Sequence, residues 1–187
     1  MNAVLRLTSA SAILAACLSA TLLLAGCATA PPTESGKADI RADAATALTK
    51  ARASDNTFDS ALRQSRAYAV FPSIGKGAIG VGGAYGKGVL YEGGTFSGYC
   101  DLSQASIGFQ LGGQAYTEVI AFSTADAVAR FKAGRFAFDA QATAVAVKSG
   151  AGANAKFADG VAVFTMDEAG LMYEASIGGQ KFSFQPG

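Results

Sequence analysis

The spacing of apolar residues changes once along the chain, and that change divides it. From Ala38 the apolar positions Ile40, Ala44, Ala47, Leu48 and Ala51 follow three-four spacing, which predicts a helix, with Asp39 and Asp43 suited to its first turn. Ser54-Asp55-Asn56 interrupts it, and Phe58, Ala61 and Leu62 continue the pattern in a second helix from about Thr57 to Arg66, with Pro72 closing the segment. Beyond Pro72 the period falls to two. Ile79, Val81, Val89 and Tyr91 alternate with small residues, and Tyr116, Glu118 and Ile120 alternate within a strand over 115–122. Further strands are predicted at 136–138, 143–147 and 181–184, and a hairpin over 161–175 turns at Asp167-Glu168-Ala169-Gly170. One helix interrupts this series, with Ser123 as N-cap, Asp126 three residues on, Val128 and Phe131 inside and an end near Gly134. The predicted class is α+β: a mostly antiparallel, glycine-rich sheet or barrel-like sandwich, N-terminal helices and one short inserted helix.

More than half of the chain's 23 glycines fall between Gly75 and Gly113. Glycine weakens helices and strands alike, so this density needs a cause. Gly75-Lys-Gly77-Ala-Ile-Gly80 matches the dinucleotide fingerprint in letters only, because Val-Gly-Gly-Ala-Tyr-Gly follows and cannot sustain the required helix. Gly86-Lys87 is followed by Gly88, not the Ser or Thr of a phosphate-binding loop. Strands passing close to another element account for the pattern better. Gly80, Gly82, Gly112 and Gly113 are the positions at which a side chain is expected to collide or a positive φ to be needed.

At the N-terminus Arg6 precedes an apolar run from Ala10 to Leu24, too short for an ordinary spanning helix and placed like a secretory signal. Leu24-Ala25-Gly26-Cys27 follows directly and resembles the bacterial lipobox, which implies cleavage after residue 26, acylation of Cys27 by diacylglycerol and palmitate-type chains, and, with Ala28 next, sorting to the outer membrane. The domain reading is a signal over 1–26, a flexible tether over 27–37 and one folded domain over 38–187.

Several chemistries are disfavoured by composition. The chain has no histidine, so Ser-His and Cys-His relays and ordinary zinc sites are absent, and no metal or cofactor is expected. With Cys17 in the signal and Cys27 acylated, Cys100 has no disulfide partner and reads as a small buried hydrophobe. Removing the signal removes Arg6 and leaves the basic residues equal to the 14 acidic ones, which argues against nucleic acid as a partner. The carboxylates Asp101, Glu118 and Asp139 remain as acid-base candidates, none in a spacing that requires catalysis.

Ala69-Val-Phe-Pro72, the run Gly80-Val-Gly-Gly-Ala-Tyr-Gly-Lys-Gly-Val-Leu90, Ile107-Gly-Phe-Gln-Leu-Gly-Gly-Gln114, Ala127-Val-Ala-Arg-Phe131 and Phe138-Asp-Ala-Gln-Ala-Thr-Ala-Val-Ala-Val147 together resemble the SYLF domain, a lipid-binding module. The resemblance spans residues 38–187 and implies a compact β-rich domain that binds phosphoinositide-type or other anionic lipid, with Lys76 and Lys87 as candidate headgroup contacts. Charge balance in the N-terminal helices departs from a basic membrane-binding face, and a lipobox places the domain apart from any actin cytoskeleton. Two readings result: a non-catalytic outer-membrane lipoprotein whose domain contacts membrane lipids, facing the periplasm or the cell surface, or an envelope enzyme working through carboxylates. Protein partners are not legible.

Overall fold

The computed structural model describes residues 29–79, 81–107, 112–135, 144–147, 150–167 and 180–187. Two helices, α1 (Glu34–Ser54) and α2 (Phe58–Arg63), precede four long strands, β1 (Ala67–Ile79), β2 (Val81–Glu92), β3 (Thr95–Ile107) and β4 (Gly112–Phe122). Helix α3 (Ala125–Lys132) follows, then β5 (Ala144–Ala146), β6 (Val161–Asp167) and β7 (Gln180–Pro186). The strands form one sheet in the order β5-β6-β4-β1-β2-β3-β7. All neighbours are antiparallel except β5 and β6. The α+β class is therefore observed, and the described strands make an open sheet rather than a closed barrel.

Each strand contributes alternate residues to two cores, as period-two patterning requires. Val70, Val89, Tyr99, Val119, Ala121 and Phe164 face α1 and α2, where they meet Ala44, Ala47, Leu48, Ala51, Phe58 and Leu62. Phe71, Ile74, Leu90, Leu102, Ile120, Phe122 and Phe182 face the other way and pack with Ala127, Val128 and Phe131 of α3. Phe131 stands at the centre of that second core, with ring centroids 4.9 Å from Phe122 and 5.2 Å from Phe182. Burying large aromatic surfaces on both sides makes the sheet the middle layer of the domain.

Local differences from the sequence reading have physical causes. Helix α1 begins at Glu34, inside the stretch read as a tether, because the Thr33 side chain accepts from Gly36 N and caps it. Pro72 does not end a helical segment. It sits within β1, where the pairing register shifts between Val70 and Ser73, so its missing N–H falls at a bulge. The N-cap of α3 is Thr124 rather than Ser123, since the Thr124 hydroxyl accepts from Ala127 N. Strands β2 and β3 join through Gly93 and Gly94, both at positive φ (56° and 82°), as a two-residue hairpin of the primed type demands.

Gly80 lies outside the described residues, and Gly82, Gly112 and Gly113 pair within β2 and β4 as strand residues. A close approach is found at Gly88, where an added Cβ would stand 2.4 Å from the Val70 carbonyl oxygen and 2.7 Å from the Phe71 ring. The predicted strand at 136–138 and the second half of the 161–175 hairpin also lie outside the described residues.

Candidate functional site

Thr29 and Ala30, shortly after the lipobox-like motif, are bound to the sheet. Lys87 of β2, Asp101 of β3 and Ser183 of β7 are cross-strand neighbours, so their side chains share one face. The Ser183 hydroxyl donates to the Asp101 carboxylate, leaving its oxygen to accept from the Thr29 hydroxyl at 2.8 Å. Lys87 Nζ donates to the Thr29 carbonyl at 3.0 Å, and Ala30 N donates to Gln185 Oε1 at 3.2 Å. Ala30 is itself buried in the core beneath α1. Two strands, β2 and β7, thus hold a segment that composition alone reads as loose, with Asp101 of β3 holding Ser183. No local signal in the sequence announces it, because the Thr29–Ser183 contact spans 154 positions.

One register step further along the same face lie Tyr85, Ser103 and Lys181. All three are exposed, and Tyr85, at 47 % exposure, is the one large hydrophobic residue exposed among those described. The Lys87 ammonium approaches the Tyr85 ring at 5.9 Å. Lys76 is elsewhere. It pairs with Ala84, whose side chain belongs to the core on the α3 side, so Lys76 and Lys87 occupy opposite faces of the sheet and do not form one headgroup site. Cys27 lies outside the described residues.

The carboxylate candidates are likewise separated. Glu118 follows the parity of Ile120 and Phe122 and is fully buried toward the α3 side, whereas Asp101 faces the other way. Asp139 lies outside the described residues. Gln180 Nε2 donates to Glu118 Oε2 at 3.2 Å, while Glu118 Oε1 and Gln180 Oε1 have no hydrogen-bond partner among the described residues. Burial raises the Glu118 pKa from 4.5 to about 7, against a smaller lowering by the Gln180 hydrogen bond. Among the described residues no group of three or more His, Cys, Asp or Glu is placed to hold a metal ion. Between α1 and the β1 bulge, a groove of about 200 Å³ is lined by Asp43, Lys50, Ser73 and Thr117 among others. It is smaller than the roughly 300–1,000 Å³ of ordinary ligand pockets.

Residues 103–186 match the model of the Ysc84 family, described as a Las17-binding protein actin regulator. Over that stretch, less than half of its length, the chain is similar to the Ysc84 (SYLF) family. The match begins within β3 and runs through β7, so it includes Glu118, Gln180 and Ser183 and leaves Lys76, Lys87 and Thr29 before it. No curated protein matches the chain.

Proposed function

We propose that this chain is a non-catalytic envelope lipoprotein, anchored at the outer membrane through an acylated Cys27, whose SYLF-type domain also contacts anionic phospholipid. The observation that carries the reading is the exposed sheet face bearing Tyr85 and Lys181, next to Lys87 and to the segment that leads back to Cys27. Tyrosine and lysine together suit the boundary between water and headgroups, where an amphipathic ring and a snorkelling ammonium are both accommodated. Each lysine near an anionic surface contributes about 1 kcal/mol, so the domain alone binds weakly and in a salt-sensitive way. The family description speaks of an actin regulator, but the partner assigned here is anionic phospholipid of the envelope.

Residues 29–187, prepared as a soluble protein, should co-sediment with phosphatidylglycerol or cardiolipin vesicles at low salt and release as salt rises. Lys181→Glu should weaken binding several-fold, while Lys76→Glu, on the opposite face, should change it little. A protein that stays in the supernatant at low salt ends the lipid-contact reading and leaves Cys27 as the sole membrane tie.

A further inference from the structure

The bound N-terminal segment gives the membrane contact a direction. From Ala30 beside Gln185 to Thr29 beside Ser183, the chain moves along β7 toward Lys181 and the exposed Tyr85–Ser103–Lys181 row. Only Ala28 separates Thr29 from Cys27. Two peptide steps span at most about 7 Å, so the Cα of Cys27 lies within that distance of the sheet-bound Thr29. The headgroup layer of one leaflet is itself about 5–8 Å thick. A lipid chain attached at Cys27 and inserted in the bilayer therefore leaves no free spacer between membrane and sheet.

We infer that the Thr29–Ala30 clamp, formed by Lys87 and Ser183 on Thr29 and by Gln185 on Ala30, fixes the domain in one orientation on the bilayer, with the Tyr85–Lys181 row at headgroup level and the Gly93-Gly94 hairpin directed away. The inference rests on the proposed lipidation of Cys27. The occupant of this sheet face is the bilayer that carries the anchor. The other end of the sheet is remote from it: Glu92, which pairs with Thr95 beside the hairpin, lies seven residues along β2 from Tyr85, about 23 Å of strand. Were the segment a free tether, the domain would sample all faces and no row would be preferred.

The test uses the full acylated lipoprotein in phosphatidylglycerol-containing vesicles doped with headgroup-nitroxide lipid. Single cysteines for a fluorophore are introduced as Tyr85→Cys, Lys181→Cys, Thr95→Cys and Arg63→Cys; the native Cys100 is buried and does not compete. Fluorescence at positions 85 and 181 should be quenched several-fold more than at 95 and 63. In a background carrying Lys87→Met, Ser183→Ala and Gln185→Ala the contrast should disappear while the protein remains membrane-bound. Mass spectrometry of the same preparation reads the anchor. An unmodified Cys27 overturns both the lipidation and the orientation. Acylated protein with equal quenching at all four positions overturns the orientation alone, and a contrast that survives the triple substitution overturns the clamp as its cause.

Discussion

The backbone N–H of Gly152 donates to the Asp55 carboxylate at 2.6 Å, joining a loop near β6 to the junction between α1 and α2. Asp55 also accepts from Gly150 N at 3.0 Å, from Thr57 N at 2.9 Å and from the Thr57 hydroxyl at 2.8 Å, although it is almost wholly buried. Burial opposes the charge, but the four hydrogen bonds outweigh it and hold the pKa below its ordinary value. The break that Ser54-Asp55-Asn56 marks in the helical pattern is thus a buried tie across the domain.

Asp55→Asn should destabilise the domain by about 2–4 kcal/mol, because it removes the charge and turns an amide toward the donating N–H groups. The sign of the pH effect follows from the depressed pKa. The Asp55 contribution is present above the ordinary aspartate range and is lost as pH falls through the folded-state value. Denaturant midpoints across the acid range should therefore fall more steeply for the wild type than for Asp55→Asn. Parallel acid limbs would show that Asp55 is not the group responsible.

Glu118 acts in the opposite sense. Its carboxyl ionises near 4.5 in the unfolded chain and near 7 in the fold, so stability is full below 4.5 and declines as pH rises to about 7. The decline amounts to about 3 kcal/mol at roughly 1.4 kcal/mol per pH unit. Glu118→Gln keeps the shape and should flatten the midpoint profile between pH 4.5 and 7, with the variant the more stable at neutral pH. An unchanged slope in Glu118→Gln would refute this assignment.

Gly88→Val should destabilise by about 1–3 kcal/mol or more, since its Cβ would press on the Val70 carbonyl and the Phe71 ring. Calorimetry against a Val substitution at Gly83, whose nearest neighbour would be 3.2 Å away, separates this contact from a general loss of glycine. The Gly88 variant should melt at the lower temperature.

Cys100 is fully buried, and burial followed by the nearby Asp101 charge pushes its thiol well above the ordinary range. It should resist alkylation by iodoacetamide in the native protein and react readily in denaturant. Rapid labelling of the folded chain at neutral pH would contradict the packing of β3.

The sequence by itself determined the class of the strongly patterned segments, since three-four spacing and period-two alternation are local properties of a chain. Ala44, Ala47, Leu48 and Ala51 are buried as their spacing implies, and Val161 to Phe164 form a strand buried on both faces. Only the tertiary structure decided which residues share a face. The bulge at Pro72 changes the parity of β1, so Phe71 and Ile74 look toward α3 and Lys76 follows them, away from Lys87. Burial of Glu118 required α3 and β7 to come together over the same side of the sheet, far apart in the chain. The fastening of Thr29 by Lys87 and Ser183 belongs to the same class. Periodicity records whether a side chain points in or out, but not which distant strand supplies its neighbour, because that is set by register and sheet order.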